Sequence, residues 1–512
     1  MLDILHNRDL TATPLINRNL AFVQPRYFFS QLSDDHNIVD YSSRQPNYGA
    51  LQLLAYMRDT KLLGDIKYFE ASASKTDVDL EKEVRRFFGS RQGILAATTY
   101  TASLNQVQQF FDRFEDSHFK VIGGPHATGM PDITFAHVAV RGEGEKTFED
   151  VIKLFPKLDL INKGISYHAN GVTRVTPAQF NLDLDAIPLP AFDLIGEYRA
   201  KGVYKTSLGK MTGDVGLYIT SQSCIGDCSF CPTHAIHGKW RSKSVSKVLS
   251  ELNKLIHTYG YSKIQFHDDT LLARRDLGEI VKFLKNNNIV WECFARANEI
   301  SEKSLSEIAG SGLQHLLIGL ESGLQSQLDY FRKKTTPQQN ARALRLTDAF
   351  DISTEGCLII GAPHDTVTSI NNSFRLVLEN PLDWLSISIL SCTPGTLEWK
   401  RMMKADVFAG LFDNNNFYRP ELYTKDSLEP LHQPTVCKNI TKQELNWLVD
   451  IGYASFYLRK AQQSRLFTRH KNVPELQEFF AKIRENFARI VATTTKSDVV
   501  DYAKKIQTEI VF

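Results

Sequence analysis

The sequence predicts two α/β units in tandem, a doubly wound parallel sheet and then a partial or full βα barrel, followed by a helical C-terminal region. Three observations predict this. Short apolar runs alternate with helical stretches over the first ~150 residues, and the same alternation restarts near residue 215. An acidic, proline-containing stretch, Leu182-Asp183-Leu184-Asp185-Ala186-Ile187-Pro188-Leu189-Pro190, separates the two series and suits a connector better than an element. From about residue 397 the pattern turns helical and richer in charge. The 512 residues are too many for one core and agree with about three domains, placed at 1–180, 181–396 and 397–512.

In the first unit, Leu20-Ala21-Phe22-Val23 reads as a buried strand that ends at Gln24-Pro25. Tyr48 to Met57 has helical spacing. Ile66-Lys67-Tyr68-Phe69-Glu70 and Gly93-Ile94-Leu95-Ala96-Ala97 read as the next strands, the latter ending in Thr98-Thr99. Phe119-Lys120-Val121-Ile122 runs into Gly123-Gly124-Pro125-His126, and His137-Val138-Ala139-Val140 into Arg141-Gly142-Glu143-Gly144-Glu145. A ligand of such a domain lies beyond the carboxyl ends of the strands, where these small-residue loops sit. In the second unit strands are expected near 215–220, 262–267, 290–295, 314–319, 355–360 and 384–390, separated by helices such as Val245 to His257 and Leu277 to Asn286. Six such units with right-handed crossovers curl into a barrel.

Composition narrows the function class. Lys plus Arg is 60 against 58 Asp plus Glu, a net charge of +2, which argues against a dedicated nucleic-acid binder. No run of about 18 apolar residues predicts a membrane span. The first eight residues lack the basic stretch and apolar core of a secretory signal, so the expected location is cytoplasmic.

Seven cysteines are present, none before residue 224, and three fall within eight residues: Cys224, Cys228 and Cys231. An odd count with one tight cluster does not resemble a disulfide framework. Three thiolates can hold three irons of a four-iron cluster and leave the fourth iron open to a small chelator. Gly226 is expected to keep the loop tight, and Phe230 to shield a cluster from water. A structural zinc site is the alternative, with His234 or His237 as fourth ligand. The remaining Cys293, Cys357, Cys392 and Cys437 read as buried small hydrophobes.

Cys-x3-Cys-x-aromatic-Cys after the first strand of a βα barrel resembles the radical S-adenosylmethionine (SAM) enzymes. Phe266-His267-Asp268-Asp269-Thr270, Gly319-Leu320-Glu321-Ser322-Gly323 and Gly361-Ala362-Pro363-His364-Asp365-Thr366 resemble later strand endings of that family, the last departing from its usual pattern at three positions. The 123–128 and 141–145 loops, the Asp183–Pro188 linker and Ser455-Phe456-Tyr457-Leu458-Arg459 resemble the subgroup with a cobalamin-binding domain ahead of the barrel. The likeness to tRNA methylthiotransferases stops at the barrel, since those carry a second cysteine set upstream.

The resemblance implies a [4Fe-4S] cluster on Cys224, Cys228 and Cys231, with SAM chelating the open iron and cleaved to a 5′-deoxyadenosyl radical. Phe230, Glu321 and Arg296 would meet SAM; the alternative for Glu321 is a helix cap, and Arg296 reads equally as an ordinary barrel ion pair, or as support for Glu321. Asp268 and Asp269 would face the site or cap a helix. Cobalamin would contact Thr98, Thr99, Gly123, Gly124, Pro125, His126, Gly142, Glu143, Gly144 and Glu145. Asp34-Asp35-His36 begins like a cobalt-ligating loop, but Val39 stands at its glycine position, and His36 reads as a surface residue. The basic segment from Arg459 to Lys471 reads as a solvated helix face or a phosphate contact.

The reaction implied is methylation of an unactivated carbon of a small metabolite, lipid precursor or peptide, with an external electron donor such as flavodoxin or ferredoxin. Oxidative cyclisation or rearrangement without methyl transfer shares every motif, and a cofactor sensor without turnover is the rival from another class.

Overall fold

The computed structural model describes residues 14–25, 45–71, 77–114, 118–131, 134–200, 204, 214–404, 436–470, 476–493 and 506. His36 lies outside the described residues.

The N-terminal sheet contains β1 (Leu20–Gln24), β2 (Ile66–Glu70), β3 (Ile94–Thr98), β4 (Phe119–Gly123), β5 (Val138–Val140), β6 (Ile165–Ala169) and β7 (Val172–Val175), in the order β2-β1-β3-β4-β5-β6-β7. The first five are parallel, and β1 pairs with both β2 and β3, so the strand order reverses between β1 and β3. This is the doubly wound order whose ligand crevice opens beside the reversal. Every residue of β1 is buried, as expected of a central parallel strand covered on both faces.

The sheet has two more strands than the five expected. β6 and β7 form an antiparallel hairpin on the β5 edge, ahead of the acidic connector. β7 is mostly exposed and has no apolar alternation, so periodicity could not find it. The turn itself did carry a signal: Asn170 and Gly171 have φ +53° and +74°, the conformation that favours Asn-Gly in two-residue hairpins.

The second sheet contains β8 (Gly216–Tyr218), β11 (Lys263–Phe266), β12 (Val290–Arg296), β13 (Leu313–Glu321), β14 (Ser353–Ile360) and β15 (Trp384–Ile389), consecutive neighbours and all parallel. Its end strands β8 and β15 do not pair, so the sheet is an open, partial barrel. A short ladder of β9 (Ser221–Gln222) and β10 (Arg241–Ser242) brackets the cysteine segment.

The C-terminal helix Lys442–Tyr457 covers the open edge at β15. The Leu385 amide donates to the Tyr457 hydroxyl at 2.8 Å, and the Ile387 amide to the Tyr453 hydroxyl at 3.1 Å. An edge strand capped by side chains is closed to further pairing. The described part of the basic segment also turns inward: Arg465 and Arg469 both pair with the fully buried Asp383. No helix among the described residues is long and apolar enough to cross a membrane.

Candidate functional site

The cysteine segment starts where β8 ends, and a buried carboxylate sets its course. Asp268, just past β11 and fully buried, accepts from the Thr220 amide at 2.9 Å and from the Thr220 and Ser221 hydroxyls at 2.6 Å each. Ser223 then adopts φ +70° and donates to the Gly238 carbonyl at 2.7 Å, turning the chain into Cys224. Asp269 accepts from the Thr233 hydroxyl at 2.7 Å, which ties the far end of the segment to the same strand ending. Both aspartates therefore hold the loop.

Arg296, at the end of β12, reaches the loop from beneath. Its Nη1 donates to Cys228 Sγ at 3.4 Å, and its Nη2 donates to the Lys333 carbonyl. Gly226 lies against this guanidinium: a Cβ there would come within 2.4 Å of Arg296 Nη1. Gly226 is absent from the residues of positive φ, so its contribution is clearance for Arg296 rather than a tight turn. Gly226→Ala is expected to displace the guanidinium from Cys228. Less iron retained per chain after anaerobic reconstitution would report it, and wild-type iron content would refute it.

Glu321 ends β13 at an irregularity in the β13–β14 register, with φ +63°. A side chain other than glycine holds that backbone at a cost of roughly 1–3 kcal/mol, which marks the position as over-determined by its surroundings. Lys333 supplies part of that constraint through a buried ion pair to Glu321 at 2.6 Å. Cys228, Arg296, Lys333 and Glu321 thus form one chain of polar contacts. Lys333 was not singled out from the sequence, because Arg332-Lys333-Lys334 reads as a solvated basic run. Phe230 packs edge-on against Phe331, with ring centroids 5.1 Å apart.

Burial pushes the Cys231 thiol up to about 12 and raises Cys224, which the Gly226 amide and Arg296 pull back in part. Metal must displace these protons, so binding would be proton-linked. Among the described residues no three His, Cys, Asp or Glu side chains gather closely enough for a single ion. His234 sets its Nδ1 3.0 Å from the Gly238 carbonyl and its Nε2 against the Gly226 carbonyl, so it ties the loop together.

A cavity of about 860 Å³ lies between the carboxyl edge of the N-terminal sheet and the mouth of the partial barrel. Thr98, Gly123, Gly124, Pro125, Gly142, Glu143, Gly144 and Glu145 line its sheet side. Gly124 has φ +97°, and a Cβ there would approach Thr98 Cγ2 to 2.7 Å, so glycine is required. Thr99 and His126 stand off the cavity wall. The Thr99 hydroxyl donates to the Gly123 carbonyl at 2.8 Å, and His126 Nδ1 lies 3.0 Å from the Thr101 hydroxyl. Glu143 joins the two units, accepting from the Leu182 amide at 2.8 Å and pairing with Arg241. Burial pushes the Glu145 carboxyl up to about 7.

The barrel side of the cavity is Leu217, Ile219, Gln222, Ile236, His237 and His267. His237 ends the short helix Thr233–His237 that begins two residues after Cys231, so the cavity abuts the cysteine segment. Burial lowers His267 to about 4, which keeps it neutral near pH 7. The loop Gln45, Pro46, Asn47 and the Tyr48 ring also line the cavity. The strand-end rule that located the other loops points there too, since they follow β1.

The sequence profile of the Radical SAM superfamily matches residues 218–398, the segment that contains all three cysteines and the partial barrel. The chain carries a radical SAM domain.

The likeness to known proteins runs past this radical SAM domain. An uncharacterized methyltransferase of Pyrococcus horikoshii is 28% identical over 81% of this chain and 88% of its own length. The anaerobic magnesium-protoporphyrin IX monomethyl ester cyclase of Cereibacter sphaeroides is 24% identical over 78% of this chain and 66% of its own. Among solved structures, the cobalamin-dependent SAM radical enzyme OxsB, with aqua-cobalamin and SAM bound, superposes with a TM-score of 0.64 at 15% identity. That match covers 97% of this chain and 84% of OxsB, so the fold is shared across the N-terminal sheet, the radical SAM domain and the C-terminal helices.

Proposed function

We propose that this chain is a radical SAM enzyme that also binds cobalamin and methylates an unactivated carbon of a small metabolite, lipid precursor or peptide. The cavity of about 860 Å³ carries the reading. It is near the upper end of small-molecule sites, roughly 300–1,000 Å³. It is walled by the loops of a doubly wound sheet on one side and by the strand-end residues next to the cysteine segment on the other. A corrinoid held there would face the barrel mouth, where a substrate radical would form.

Cys224, Cys228 and Cys231 are assigned as ligands of a [4Fe-4S] cluster whose fourth iron is left for the amino and carboxylate groups of SAM. When bound and reduced, that cluster supplies the electron that cleaves SAM to a deoxyadenosyl radical. The chain's part is placement. Asp268 and Asp269 hold the loop, Arg296 would neutralise thiolate charge at Cys228, and Phe230 packs against Phe331. Gly123 and Gly124 let the backbone approach the corrinoid, while Glu143 fixes the two walls of the cavity relative to each other. The proposed setting is cytoplasmic, where a low-potential reductant is at hand.

The test is protein purified without oxygen, supplied with hydroxocobalamin, and assayed together for iron, sulfide and bound corrinoid. Four irons with stoichiometric corrinoid are expected, and four irons without corrinoid would overturn the cobalamin assignment. Methyl-labelled SAM then separates the reactions. The relative named as a cyclase favours a second reading, oxidative cyclisation, in which no label reaches the product.

A further inference from the structure

The cysteine segment lies at the protein surface, and its surroundings there are basic. Ile225 and Asp227, between Cys224 and Cys228, are exposed, Ile225 by 53%, while Cys224 is buried and Cys228 half-buried. Exposed residues thus flank both Cys224 and Cys228. The segment after the helix Gln325–Tyr330 runs alongside: the Ser229 amide donates to the Phe331 carbonyl at 2.8 Å, and Lys334 reaches Asp227 at 2.8 Å. The helix Leu397–Lys404 closes the other flank. Its Glu398 amide donates to the Ser229 carbonyl at 2.9 Å, and Arg401 lies over the Tyr330 ring.

These two flanks present Arg332, Lys334, Arg401 and, three residues further along the same helix face, Lys404. Arg332 and Lys334 side chains are 52% and 67% exposed. The carboxylates among them are Asp227, Asp329 and the buried Glu398, which pairs with Arg401 at 3.1 Å. Among the described residues these cations outnumber the carboxylates, so the apron is net positive in a chain whose overall charge is almost balanced.

We propose that this apron, together with the exposed Ile225, is the docking surface for an acidic one-electron carrier protein that reduces the cluster. The proposal rests on the cluster assignment above. Electron transfer falls steeply with distance, so a carrier has to dock where the cluster is shallowest. A positive rim steers an acidic partner to that point, and the steering weakens as salt rises.

The experiment uses the reconstituted full chain and its R332E/K404E variant, with R332Q/K404Q as the milder change. Cluster reduction is followed after mixing with reduced flavodoxin, and separately with dithionite, which needs no protein interface. Flavodoxin-driven reduction is expected to slow at least tenfold in the charge-reversed variant, less in the neutral one, and to lose its salt dependence. Iron content and dithionite-driven reduction should match the wild type. Equal flavodoxin rates would overturn the proposal, as would an equal loss with both reductants. A wild-type protein with no reducible cluster would overturn the cluster reading itself, and the docking surface with it.

Discussion

Asp268→Ala is expected to destabilise the protein by about 3–5 kcal/mol, because buried donors left without an acceptor cost roughly 1–3 kcal/mol each. The donors are the Thr220 amide, the Thr220 hydroxyl and the Ser221 hydroxyl, all within 2.9 Å of the Asp268 carboxylate and all buried. The loss falls on the two residues that launch the cysteine segment, so iron retention should fall together with stability. Asp268→Asn should fare little better, since an amide offers one acceptor oxygen and turns an NH2 toward donors. The denaturation midpoint and iron per chain after reconstitution report both effects. Wild-type iron binding in a destabilised Asp268→Ala would show that the strand ending supports the fold without shaping the site.

Lys333→Met is the second large effect. It strands the Glu321 carboxylate, whose side chain is 9% exposed and whose ion-pair partner at 2.6 Å is removed. Breaking a buried pair from one side costs about 3–5 kcal/mol, whereas replacing both partners is often nearly neutral. The double variant Lys333→Met/Glu321→Leu should therefore recover most of the stability lost in the single one. It also tests the assignment of Glu321 to SAM. Recovered stability with weakened SAM binding supports it, and recovered stability with unchanged SAM binding refutes it.

The residues explain why some features were legible and others were not. Cys224, Cys228 and Cys231 are a covalent spacing, and the chemistry of three thiolates in eight residues does not depend on the rest of the chain. The central strands were legible because parallel strands covered on both faces read as apolar runs, as in the fully buried β1. The exposed β7 has no such run, and only the Asn170-Gly171 turn announced it. Gly226 was read through backbone freedom, its commonest use; its actual neighbour, Arg296, is 70 residues away in sequence and could not enter that reading.

Thr99 and His126 show the same boundary at the cavity. Both sit in the loops that line it, yet each side chain turns to a partner within the sheet edge, while Thr98 and Pro125 beside them face the cavity. The sequence by itself determined the apolar strands, the two βα series and the spacing of the three cysteines, because periodicity and close spacing are local properties of the chain. Only the tertiary structure decided that Asp268 holds Thr220, that Lys333 rather than its basic neighbours pairs with Glu321, and that one cavity is shared by two sheets. Those outcomes depend on how successive crossovers bring distant strand ends together, and on which member of a polar run each close approach leaves without water.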